Sequence, residues 1–165
     1  MDKRVRQYIG LFTAILAYYL IHEGAHLLYA LYIGVFKQIN FMGLGMQIDV
    51  YAEQMSTQQL GIFCSVGAIA TILVAYILVI FADKIKDVSS KCFKACMYYI
   101  TIALLLLDPV YLSVLCGMVG GGDMNGIVLL MPEGIARIGF GILLAANSIV
   151  FFKHVLPKYK LGFEE

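Results

Sequence analysis

Two histidines and a glutamate in the run LAYYLIHEGAHLLYALYIG, residues 16–34, are the residue types of metal-assisted hydrolysis. His22 and His26 are four apart, so on a helix their imidazoles leave one face a turn apart. Two neutral imidazoles at that spacing can grip one Zn²⁺, and Glu23, one residue on, can reach a water held by the metal. Zinc lowers the pKa of such a water and polarises a carbonyl, while the glutamate takes and returns a proton. The pattern is short and recurs by chance in soluble proteins. Inside an apolar run it gains weight, because ionisable groups persist in membrane spans mainly where they have a function or a partner. The competing reading is a buried polar cluster joining helices, or an ion or proton path.

A catalytic zinc keeps three protein ligands and one open position. Two further acids in apolar surroundings are candidates for the third ligand: Asp108 in LLLLDPVYL and Asp123 in GGGDMNGI. Asp108 matches the histidines in depth, at roughly 15 Å from the end of its segment at 1.5 Å per residue. It also precedes a proline and could cap a kink. Asp123 matches only if the glycines at 120–122 fold back into the bundle. Both stay open on these grounds.

The elements that must position these groups are membrane spans. Of 165 residues, 61% are hydrophobic and 14% charged, and the mean hydropathy is +0.85. A soluble domain has roughly 45–50% apolar and about 25% charged residues. A span needs about 20 apolar residues, and four stretches qualify: 8–34, 59–82, 95–119 and 124–152. The last is interrupted by Pro132, Glu133 and Arg137, so MNGIVLLMP reads as a half-helix or re-entrant piece after the glycine-rich break. No repeat, second domain or cleavable signal is visible, and residues 1–165 read as one membrane-embedded domain. Cys64, Cys92, Cys96 and Cys116 lie in or beside apolar segments and read as free thiols rather than a zinc site.

Between the first two spans, residues 35–55, Met46, Ile48 and Val50 alternate with Gln47, Asp49 and Tyr51, the period of a strand. Ile39 and Phe41 offer a shorter partner strand, with GLG at 43–45 as the turn; an amphipathic surface loop is the alternative. Lysines and arginines cluster before span one, between spans two and three, and after span four. That bias puts both termini in the cytoplasm and the hairpin outside. The net charge of +1 is uninformative, but no basic stretch resembles a nucleic-acid surface, and no nucleic-acid partner is expected.

These features together resemble the site-2 protease family of intramembrane zinc metalloproteases. HEGAH stands where the family has its HExxH, in the first core span. The segment VFKQINFMGLGMQIDVY resembles the β-hairpin that follows it. SVGAIATILVA (65–75) resembles the family's AGPxxN helix start, with Gly67 at the glycine, Ala68 for proline and Thr71 for asparagine. GGDMNGI is the nearest match to the family's Leu-Asp-Gly, which puts the third zinc ligand on Asp123 and leaves Asp108 as the alternative or as a supporting group. The resemblance implies an all-α polytopic membrane protein of about four helices, with a short β-hairpin after the first and a broken segment before the fourth. It also implies Zn²⁺ as cofactor, His22, His26 and Asp123 as ligands, and Glu23 as catalytic base. Met46, Gln47, Ile48, Asp49 and Val50 would then pair with an unwound substrate strand. The expected substrate is a membrane protein or hydrophobic peptide, and the expected location is the bacterial plasma membrane. An accessory membrane subunit could supply selectivity. In the family the hairpin lies toward the cytoplasm, against the charge bias here, so orientation stays open. A non-enzymatic ion or proton transporter, with the same acids and histidines lining a path, is the alternative function.

Overall fold

The computed structural model describes residues 1–43, 45–120 and 122–164. Four helices are long and apolar enough to cross a membrane: α1 (Lys3–Tyr32), α2 (Thr57–Ile80), α4 (Lys91–Val119) and α6 (Glu133–Phe163). Between them lie strands β1 (Phe36–Met42) and β2 (Gly45–Val50) and two short helices, α3 (Ala82–Lys86) and α5 (Met124–Ile127). Leu28, Leu73, Ile138 and Ile142 stand more than 60% exposed around the outside. In water that would be an unusually large apolar surface; against lipid it is the expected one. This is the build of a membrane protein.

The expected hairpin is present. β1 and β2 pair antiparallel with Ile39 opposite Ile48 and Phe41 opposite Met46. β1 is seven residues long and β2 six, so the partner strand is not the shorter one. The apolar Val35, Phe36 and Val50 join the core and extend the pairing past Ile39. Of the expected turn, Leu44 lies outside the described residues, as does Gly121 of the glycine break.

The fourth span starts later than the hydrophobic run suggests. Met124–Ile127 form one turn of helix, α5, followed by non-helical turns, and α6 begins only at Glu133. Apolarity at 128–131 extends the run, but Pro132 sits at the cap position with ψ 138 and cannot continue a helix backwards. Gly120 adopts φ 101, which a residue with a Cβ rarely reaches. Of residues 124–132, which the sequence suggests as a half-helix or re-entrant piece, only Met124–Ile127 is helical, and the fourth long helix runs from Glu133 to Phe163.

Helix starts follow local chemistry. Ser56 and Gln59 close a reciprocal capping box at the head of α2, and the Ser90 hydroxyl accepts from Phe93 N–H at the head of α4. Within α4, Pro109 has no N–H to give the carbonyl of Leu105, four residues back. Asn147 on α6 fills that vacancy: its amide donates to Leu105 O at 2.7 Å while its oxygen accepts from Tyr76 of α2 at 2.8 Å. A π-helical turn at Tyr111–Leu115 follows the proline. One buried amide thus joins α2, α4 and α6 just beside Asp108.

α2 turns a face of small residues toward its neighbours. Its buried face carries Gly61, Cys64, Gly67, Ala68, Thr71 and Ala75, small residues that let neighbouring backbones come close. A Cβ at Gly61 would stand 2.4 Å from Leu130, and one at Gly126 of α5 would stand 2.3 Å from the Cys64 sulfur. The segment carrying Asp123 is therefore seated directly on α2. All four cysteines are free thiols; Cys64 and Cys116 are buried, while Cys92 and Cys96 are half-buried.

Candidate metal centre

α1 turns its polar face inward at one level. His22 and His26 are 6% and 3% exposed, and their Nε2 atoms lie 3.2 Å apart. The Asp123 carboxylate straddles the pair, with Oδ2 at 3.0 Å from His22 Nε2 and Oδ1 at 3.6 Å from His26 Nε2. A neutral imidazole has one N–H and one lone pair, and a carboxylate has only lone pairs. Three such groups aimed at one point repel unless a cation or protons lie between them. His22, His26 and Asp123 form a group that could hold a metal ion.

Gly67 of α2 closes the floor of this group. A Cβ there would lie 2.6 Å from both Nε2 atoms, in the space where the donors converge. G67A is expected to displace the imidazoles and abolish metal retention while the chain still inserts and folds as a helical bundle. Metal content of the purified variant, with its circular dichroism as control, checks this.

Asp108 meets the histidines from the other side. It is 1% exposed, and its Oδ1 lies 3.2 Å from His22 Nδ1, the nitrogen facing away from Asp123. Tyr18 donates to the same oxygen at 2.6 Å, and the Thr71 hydroxyl donates to Oδ2. Tyr18 also stacks on the His22 ring with centroids 5.3 Å apart, and Phe63 packs against His26 at 4.7 Å. The Asp108 charge beside Nδ1 favours the proton there and leaves Nε2 as the lone pair, although the two atoms are not aligned as a hydrogen bond. The two aspartates left open by the sequence thus occupy opposite nitrogens of one histidine.

Glu23 is half-buried beside the donors, and its Oε2 accepts the Ile48 N–H of β2 at 3.1 Å. That N–H lies on the edge of β2 not paired with β1. Met46, Gln47 and Ile48 share a cavity of about 300 Å³ with His22, Glu23, His26 and Asp123. The other two hairpin residues lie elsewhere: Asp49 pairs with Lys37 at 3.0 Å, and Val50 packs against the core. The Asp49 hydrogen bond holds the Lys37 ammonium pKa above its usual value. Asp49 Oδ1 also accepts the Val50 N–H, so side chains take two N–H groups along the free edge of β2, those of Ile48 and Val50.

Tyr111 was not singled out by residue type. It lines the same cavity and donates to Gly120 O at 2.8 Å, tying the glycine break to α4 just before Asp123. Tyr18 was also missed; its signal was its place four residues before His22, on the same helix face.

Comparison of the chain with protein-family models, curated proteins and solved structures returned no match.

Proposed function

We propose that this chain is an intramembrane zinc metalloprotease that hydrolyses a peptide bond of a membrane-embedded or apolar peptide substrate. The observation that carries this reading is the convergence of two Nε2 atoms and a carboxylate beside Glu23 and a strand edge, in one cavity. Tetrahedral donors about 2.1 Å from a zinc ion stand about 3.4 Å from each other. The spacings here, 3.0, 3.2 and 3.6 Å, suit that geometry. His22, His26 and Asp123 would hold the ion, which when bound supplies an acidified water and polarises the scissile carbonyl.

The remaining work falls to the chain itself. Glu23 accepts a proton from the attacking water and returns it to the leaving amine. Asp108, held by Tyr18 and Thr71, keeps the lone pair of His22 on Nε2. Tyr111, through its hydrogen bond to Gly120 O, helps to seat the segment that carries Asp123. An extended substrate stretch adds to the edge of β2 and takes the Ile48 N–H, because one donor cannot fully serve two acceptors. Glu23 is thereby released toward the reacting water. A substrate helix must unwind first, since its peptide bonds are hydrogen-bonded and shielded.

Vesicles containing the chain and a panel of single-span reporter proteins test this reading. Cleavage that is lost with a chelator and restored by added Zn²⁺ is the expected result. Intact reporters together with proton or metal flux would favour a transporter instead. The strand edge has its own test. I48P removes the N–H and disrupts the strand, and cleavage should fall by about 10- to 100-fold with metal content unchanged. Equal cleavage by I48P and wild type would mean that the hairpin is only a connection.

A further inference from the structure

A second cavity, of about 420 Å³, lies at the other end of the bundle. It sits between the start of α1, the first turns of α4 and the end of α6. Arg6, one of its lining residues, is sixteen positions before His22, or about 24 Å along the helix, so this cavity is separate from the metal centre. Three of its ten lining residues, Lys3, Arg6 and Lys160, are cations, and none is acidic. None of the three makes an ion pair among the described residues. The Arg6 guanidinium donates to the carbonyl of Met1 at 3.0 Å. The walls are aromatic and apolar, including Tyr98 and Phe163. Tyr159 also lines the cavity, 1% exposed, and its phenol oxygen has no hydrogen-bond partner among the described residues.

Cations and aromatic rings lining one cavity suit an amphiphile with a negative head. A soluble anion would use the cations and leave the aromatic wall without a purpose. Beside the lining residues, Tyr8 and Leu161 are 72% and 55% exposed, so apolar surface continues outward along α1 and α6. The charge bias of the sequence, taken alone, assigns this end to the cytoplasmic side, where basic pockets between helices hold anionic headgroups. We propose that this cavity binds the phosphate headgroup of an anionic phospholipid, with its acyl chains running along the apolar outer face.

The test uses the full chain in vesicles of equal phosphatidylglycerol and phosphatidylcholine, extracted gently and weighed by native mass spectrometry. The wild-type chain should retain phosphatidylglycerol with a preference of about 10-fold or more, given three cations near the surface. The combined K3Q, R6Q and K160Q variant should lose most of that preference. Its metal content should match wild type, since the substitutions are remote from the histidines and on exposed or half-buried positions. Equal retention of both lipids by wild type would overturn the proposal, as would an unchanged preference in the variant. Displacement of the lipid by millimolar inorganic phosphate would overturn it too, making the cavity a site for a free anion.

Discussion

E23Q is expected to hold metal as wild type does while its cleavage of a reporter falls by about 10²- to 10⁴-fold, the usual worth of a positioned general base. The substitution is nearly isosteric. Its amide oxygen can still accept the Ile48 N–H that Glu23 Oε2 now takes at 3.1 Å, so the contact between α1 and β2 survives. What it cannot do is accept the water's proton. The loss therefore reports proton transfer rather than architecture. Undiminished cleavage by E23Q would remove Glu23 from the chemistry.

The two aspartates should separate in metal binding. D123N replaces one of three converging donors, and the variant should lose its metal during purification. D108N touches only the far nitrogen of His22: its one amide oxygen can replace the Oδ1 that accepts from Tyr18, while its NH2 then faces the Thr71 hydroxyl, which must accept rather than donate. Its metal affinity should weaken by about 10- to 100-fold, the usual cost of removing an orienting partner behind a ligand. Equilibrium titration with a competing chelator measures both. Metal lost from D108N and kept by D123N would move the third ligand to Asp108.

The question between these acids shows what the sequence could and could not carry. Depth counting treats each span as a straight rod and asks which acid stands level with His22. Both do, because an imidazole has two faces and the structure uses each one. Only the fold-back of the segment after Gly120 decides which acid reaches Nε2, and that depends on close packing of Gly126 against Cys64. No periodicity reports such a contact. His22, Glu23 and His26 were legible because helical spacing alone puts both imidazoles on one face. The hairpin was legible from alternation at 46–51. The start of α6 was not, since apolar residues at 128–131 look the same in a turn as in a helix. Gly67 stood out as part of a motif, but its contact with both imidazoles appears only when α2 is packed on α1.

The most direct measurement is the zinc content of the purified wild-type chain, determined by mass spectrometry of the acid-digested protein. About one zinc per chain, absent when His22 and His26 are both replaced by alanine, is the predicted result. A folded wild-type chain that carries no zinc, and takes up none from micromolar solution, would contradict a hydrolytic metal centre at His22, His26 and Asp123.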